Sequence, residues 1–339
     1  MRNDAAQVAL LHCRRCGGAM RLHEITEQSS DEHIVTGSLV CQRCDEMYPI
    51  IRGVPRFSAQ LPAFGAAGTI GGFGYQWRVF NPPLKDSRCA SAEIFLDFIK
   101  PVSSGFFVGK VVLDAGCGQG RFTRWAHDFG ARIVVGVDLS DSVDVAFANT
   151  RHLPNVLIVQ ADILSLPFSE CFDYIFSIGV LHHTGDTGRA FCALAGHLRA
   201  GGAMSTWVYG KEGNGWVIHF LNPLRQNITS RLPRGVLRML SGVAAVPLYM
   251  ITKGIYGPVG TRRWMSSLRK ILFYFDYLHF FSQFGFREQW LIIFDHLVPA
   301  IADYVPYQVF AQWHAACDLQ EVTITSRHGN SWRGFGKKP

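Results

Sequence analysis

Cys13, Cys16, Cys41 and Cys44 stand in two C-x-x-C pairs, CRRC and CQRC, with 24 residues between them. Thiolates at that spacing form two knuckles that close on a tetrahedral ion, which predicts a structural Zn2+ site in a small ribbon. A redox role would need one pair beside a βαβ unit, and no such unit is near. A second group is DAGCGQGR, Asp114 to Arg121, where an acid that ends an apolar run is followed by Gly116, Gly118 and Gly120. Bare backbone at a strand's carboxyl edge lets a ligand lie directly against the turn. The string is not the dinucleotide G-x-G-x-x-G, because position 121 is arginine, and it is not a P-loop, because G-K-[ST] is absent. Asp138 in VVGVDLS and Asp162 in VQADILSLPF end the next two apolar runs. A carboxylate at the end of a second strand is placed to accept hydrogen bonds from ribose hydroxyls. His182 and His183, in VLHHT, follow a fourth apolar run and are the candidates for acid–base work, with packing or capping at a helix start as the competing role. Tyr209, Asp295 and His296 are further cleft candidates, and Tyr75, Gln76 and Trp77 in FGYQW have the character of an aromatic lid.

These residues need a frame, and the sequence supplies one in five segments. Residues 1–57 hold the cysteine pairs and short β-like runs. Residues 58–105 open with the small-residue stretch AQLPAFGAAGTIGGFG and turn helical around SAEIFLDFIK. Residues 106–210 alternate strand and helix patterns, with strands at KVVLDA, RIVVGVD, VLIVQAD, FDYIFSI and AMSTWVY and helices starting near Arg121, Ser140 and Asp186. That rhythm predicts an α/β fold with a parallel sheet covered on both faces. Residues 211–290 break the rhythm with basic amphipathic helices, and 291–339 return to it with PYQVFAQWHAAC, LQEVTITS and SWRGFGKK.

Composition adds bounds. The chain has 339 residues, 48% hydrophobic, with a formal net charge of +7 and nine cysteines. Cysteines without a secretory leader pattern point to a reducing cytoplasm and to metal binding rather than disulfides. No run of about 18 uninterrupted apolar residues is present. The best candidate, Met239 to Thr252, lies between Arg238 and Lys253 and contains Pro247.

The G-x-G-x-G turn after Asp114, Asp138, Asp162, the fourth-strand FDYIFSIGVLHH and the helix–GG–strand join LRAGGAMSTWV occur in order and at natural spacing. Together they resemble the motifs of class I S-adenosylmethionine-dependent methyltransferases, with the spacing of the type 11 group. The resemblance implies a Rossmann-like, mostly parallel seven-stranded sheet and S-adenosyl-L-methionine as cofactor. It implies Asp114, Gly116, Gly118, Gly120, Asp138, Leu139, Asp162, Ile163 and Ile178 as cofactor-binding residues, with Asp162 on the adenine amino group and Ile163 against the ring. The first segment, ending in MYPIIRGVPRF, resembles the zinc-ribbon activator subunit of tRNA and protein methyltransferases. NPPL, Asn81 to Leu84, is similar to the NPPY motif of amino-methylating DNA enzymes but precedes the glycine turn, so it reads as a turn.

The segment 211–270 carries ten basic residues, among them Arg225, Arg231, Arg234 and Arg238, and one acid, Glu212. Large apolar residues alternate with them, as in a lid or an interfacial helix. The expected acceptor is a small, hydrophobic or lipid- or glycan-linked metabolite, with O-methylation ahead of C- or N-methylation. The alternatives are an RNA base and a cofactor-binding partner protein without catalysis. Peripheral membrane contact is compatible with the same segment.

Overall fold

The computed structural model describes residues 1–57, 66–84 and 88–339. After a single helical turn, α1 (Ala5–Val8), come four short strands: β1 (Met20–Gln28), β2 (Ile34–Cys41), β3 (Met47–Ile51) and β4 (Val54–Pro55). They pair antiparallel in chain order and make up the ribbon.

The main sheet has seven strands: β5 (Val111–Ala115), β6 (Ile133–Asp138), β7 (Val156–Gln160), β8 (Phe172–Ile178), β9 (Leu198–Tyr209), β10 (Gln320–Arg327) and β11 (Ser331–Lys337). Their spatial order is β10-β11-β9-β8-β5-β6-β7. Strands β5 to β9 are parallel, and β11 inserts antiparallel between β9 and β10. The order reverses at β5 and β8, and in such sheets the crevice outside the strand ends at that reversal is where ligands bind. Central strands buried on both faces must be apolar throughout, and β5 and β6 are so but for Asp114 and Asp138. Helices α3 (Ala92–Phe98), α4 (Arg121–Asp128), α5 (Ser142–Thr150), α6 (Thr187–Gly196) and α13 (Tyr307–Ala316) cover the sheet. On one face Phe95, Phe107, Phe122, Tyr174 and Phe176 form a buried aromatic layer.

The stretch predicted as a small-residue linker is helical from residue 66: α2 spans Ala66–Leu84, while residues 58–65 lie outside the described ones. Gly72 serves close packing. A Cβ on Gly72 would sit 2.3 Å from Val298 Cγ1. NPPL falls in the last turn of α2 and not in a free turn.

The cap runs past the predicted limit of 290. It contains α7 (Asn222–Asn227), α8 (Arg234–Ile251), α9 (Gly257–Thr261), α10 (Ser266–Arg269), α11 (Phe275–Phe281) and α12 (Phe286–Leu297). A π turn, Thr252–Tyr256, joins α8 to α9, so Arg234–Thr261 is one helix of 28 residues that contains an 18-residue stretch with a mean hydropathy of 1.5. It is long and apolar enough to cross a membrane by length and composition, although Arg238, Pro247 and Lys253 interrupt its apolar run. The cap has its own core of Leu237, Phe281, Phe284, Leu291, Phe294 and Val298, shared with Phe80 of α2.

Candidate active site

The turn after β5 is built by its glycines. Gly116, Gly118 and Gly120 have φ of +88°, +54° and +80°, in the left-handed region that a Cβ disfavours. A Cβ on Gly116 would meet Val180 Cγ2 at 2.2 Å. Asp138 holds the turn from the next strand: Oδ2 accepts from the Gly118 N–H at 3.0 Å, and Oδ1 accepts from the Ser140 N–H and hydroxyl at 2.9 and 2.7 Å. That leaves one Oδ2 lone pair for a ligand. Asp162 caps the turn Ile163–Ser165 through Oδ1, which accepts from the Leu164 N–H at 2.9 Å. Asp114 accepts from the Thr123 hydroxyl at 2.7 Å. Burial, with the nearby Asp138 charge, pushes its carboxyl up to about 7.

One cavity of about 770 Å³ collects these groups. Asp114, Gly116, Gly118, Asp138, Leu139, Asp162, Ile163 and Ile178 line it, and so does His183. Gly120 does not line it, because it stands behind the turn as the cap of α4, against Thr150 and Ala146. From α2 come Gln76 and Trp77, and from α12 come Asp295 and His296. Tyr75 does not line the cavity and packs toward Phe294, with ring centroids 6.1 Å apart. The outer part of the cavity is apolar and aromatic, with Trp207, Tyr209, Leu248, Tyr256, Tyr277 and Phe281 in its wall.

The two histidines part company. His182 is fully buried, its ring nitrogens have no hydrogen-bond partner, and it stacks on Tyr209 at 3.9 Å between centroids. It is absent from the cavity wall, so the catalytic expectation for His182 is corrected to packing. The neighbouring ring of the 3-10 turn Leu181–His183 lies 4.3 Å from that of His182 between centroids and reaches the cavity wall. His183 Nδ1 donates to the Ile301 carbonyl at 2.7 Å, which makes Nε2 the lone-pair nitrogen. Burial lowers its pKa to about 3, so it is neutral at pH 7. Asp295, raised by burial, accepts from Gln76 Nε2 at 3.0 Å. His296 Nε2 meets the Tyr277 hydroxyl at 2.8 Å.

Sequence reasoning missed Arg225. It looked like a surface cation but is fully buried, with Nε and Nη1 unpartnered and one amine on Asn222. Trp207 was also missed, although strict alternation along β9 marks it as facing away from the buried Thr206 and Val208.

The four cysteine sulfurs lie within 4.8 Å of one another. Sulfurs at the corners of a tetrahedron with Zn–S near 2.3 Å are about 3.8 Å apart. The pairs Cys13–Cys44 at 3.6 Å, Cys16–Cys41 at 3.4 Å and Cys16–Cys44 at 3.2 Å are a few tenths of an ångström closer than that figure. A Cβ on Gly18 would sit 2.9 Å from Cys41 Sγ, so the cradle needs glycine there. The donor set is compatible with structural Zn2+. The ribbon docks on the edge of the main sheet: the Phe57 N–H donates to the Gln160 carbonyl at 2.8 Å and Arg56 Nη1 to Gln160 Oε1 at 2.9 Å. Asp144 of α5 pairs with Arg56 and, at 2.8 Å, with Arg52. Val54 of β4 shares a buried cluster with Cys117 of the glycine turn.

Residues 113–206 match the family model described as a methyltransferase domain. The chain is 35% identical over 99 residues to a tRNA U34 carboxymethyltransferase of Pseudoalteromonas translucida (strain TAC 125), covering 28% of this chain and 31% of that protein. It is 37% identical over 98 residues to a trans-aconitate 2-methyltransferase of Deinococcus radiodurans, covering 29% of this chain and 37% of that one. The solved 1,6-didemethyltoxoflavin-N1-methyltransferase of Burkholderia thailandensis aligns over 88% of this chain and 98% of its own with a TM-score of 0.46 and 15% identity. The chain spans about a third of the length of the first curated relatives it matches. With the strand order above, the match defines the class: the chain carries a class I S-adenosylmethionine-dependent methyltransferase domain, set behind a four-cysteine ribbon.

Proposed function

We propose that the whole chain transfers a methyl group from S-adenosylmethionine to an apolar acceptor seated under the helical cap. The observation that carries this reading is the single cavity that joins the glycine turn and its acids to the aromatic wall of the cap. Its volume of about 770 Å³ lies in the range of small-molecule sites. Bound S-adenosylmethionine supplies an electrophilic methyl on a sulfonium. The chain's part is to bind, align and keep dry. Asp138 would accept a ribose hydroxyl on its remaining lone pair, Asp162 would accept the adenine amino group on its unused oxygen, and Leu139, Ile163 and Ile178 would pack against the cofactor. Asp114 would face the cofactor's ammonium, whose charge would favour the ionised carboxylate, the carboxyl proton leaving to solvent. The glycines keep the approach open.

His183 Nε2 is the acceptor's partner. Its low proton affinity suits it to accept a hydrogen bond and aim a hydroxyl or amine at the methyl carbon more than to remove a proton outright. The raised carboxyl of Asp295, held by Gln76, is the stronger proton acceptor in the same wall.

A second reading, an RNA base as acceptor, is favoured by the names of the curated relatives over a small metabolite. Those alignments reach at most 31% of this chain, so most of it, the parts that would choose an acceptor included, lies outside them. The two readings separate in one experiment. Methyl-labelled S-adenosylmethionine is offered with total RNA, a lipid extract and a pool of polar metabolites. Label in the lipid fraction supports the apolar acceptor, and label in RNA replaces it with the second reading.

A further inference from the structure

The helix Arg234–Thr261 has two apolar faces. One packs inward through Leu237, Ser241, Ala245, Thr252, Tyr256 and Val259. The other is bare: Val236, Met239, Leu240, Val243, Val246, Met250, Ile251 and Ile255 recur at three- and four-residue steps and are all exposed, Met239 at 61% and Val243 and Met250 at 67%. Phe220, Trp264 and Ile271 of the same cap are exposed at 75%, 75% and 79%. A surface helix turns its polar side to water, and one that is apolar on both sides has a second apolar partner. Charge says which kind. Arg231, Arg238, Lys253, Arg262, Arg263 and Lys270 of the same segment are exposed as well. The one acid of the segment, Glu212, is tied to the Tyr307 N–H at 3.0 Å and to Trp332 Nε1 at 3.2 Å.

We propose that this face docks on an anionic phospholipid bilayer, with the helix lying in the interface plane. The inward packing argues against a spanning pose, because the helix is held against the cap core along its length and that core would have to enter the bilayer with it. A second copy fits worse: a two-fold contact through this face would set arginines and lysines against one another. RNA would meet the cations but leave the apolar stripe in water. The cavity adds a route. Trp216, Ile251 and Phe273 are exposed and line the cavity too, so its outer end opens in the bare face. An acceptor dissolved in the bilayer enters the cavity without crossing water. This route rests on the reading of the cavity as the acceptor site; the docking does not.

The test is flotation of the full, zinc-loaded chain with vesicles of equimolar phosphatidylcholine and phosphatidylglycerol, beside phosphatidylcholine alone, with S-adenosylmethionine affinity measured by calorimetry on the same samples. Binding to the anionic vesicles is expected. The double variant Val243→Glu/Met250→Glu should lose at least tenfold in vesicle affinity, and removing Arg238 and Lys253 should cost roughly fivefold per residue on anionic vesicles. Neither variant should change cofactor affinity. Absence of flotation overturns the proposal. So does flotation that the glutamates leave unchanged, or a dimer that they dissociate while vesicles are ignored. If vesicles bind but the cofactor does not, docking stands and the methyl-transfer reading falls, and the lipid route with it.

Discussion

The ribbon and the cap are both additions to one methyltransferase sheet, and they are finished differently. Leu11, Ile34, Leu39, Ile50 and Phe57 of the ribbon share one buried cluster with Val135, Leu157 and Val159 of the sheet. Around that contact the charges are matched, with Arg52 and Arg56 on Asp144 and Arg151 on Asp31 at 2.6 Å. The cap builds a separate core and leaves its outer stripe apolar, with exposed arginines and lysines in the same segment. The ribbon is therefore a structural partner of the cofactor turn, whereas the cap's exposed face contributes little to folding.

The largest expected effect follows from the ribbon. Metal removal by a chelator, or Cys41→Ser, should destabilise the whole chain, since structural zinc is worth roughly 10 kcal/mol or more. The ribbon's core is continuous with the sheet, so thermal melting should shift as one transition and S-adenosylmethionine affinity should fall with it. A cofactor site that binds normally in the metal-free chain would show the two regions to be independent. The complementary change in the cap, Val243→Glu, should move stability by no more than about 0.5 kcal/mol, as for other solvent-facing substitutions.

Next in size are changes within the cavity. His183→Ala should lower methyl transfer by about a hundredfold while sparing cofactor affinity, if positioning the acceptor is its part. His182→Phe should keep activity and, by removing two unpartnered ring nitrogens from the interior, leave stability equal or about 1 kcal/mol higher. Equal losses at both positions would overturn the division drawn between them. Asp138→Ala should weaken cofactor binding tenfold or more by calorimetry, because it removes a charge-assisted acceptor and releases the Gly118 N–H.

The last expectation is a pH dependence. Asp114 is raised from the ordinary carboxylate range to about 7, chiefly by burial. Between about 4 and 7 the folded state therefore binds more protons than the unfolded one, and stability falls as pH rises through that window. Cofactor affinity should run the opposite way, falling below pH 7 as the carboxyl is protonated. Asp114→Asn should flatten the stability curve, by on the order of a few kcal/mol or less at pH 8, and remove the pH dependence of binding together with most of the affinity.

Much of this was legible in the sequence. The strands β5, β6 and β7 are near-continuous apolar runs, as a sheet covered on both faces asks. The glycine turn and the cysteine knuckles are local, so spacing alone reports them. What failed depends on which side of an element is covered. Periodicity gives α8 two apolar stripes but does not say that only one is packed. Arg225 and Arg238 look alike in a basic helix, yet one is wholly buried and the other exposed. His182 and His183 are adjacent, and one 3-10 turn decides which reaches the cavity.

Trp77 carries a consequence of an optical kind. Its indole lies against the glycine turn, 2.9 Å from where a Cβ of Gly118 would stand, and the Arg121 guanidinium sits 5.4 Å from the ring centre. A ring so placed borders the proposed bed of the cofactor, between a guanidinium and bare backbone. Its emission should change when that bed is filled, and Trp77→Phe supplies the blank against which the other indoles, Trp207 and Trp216 of the same wall among them, are subtracted. Filling and emptying would then be followed in real time, without label and without acceptor.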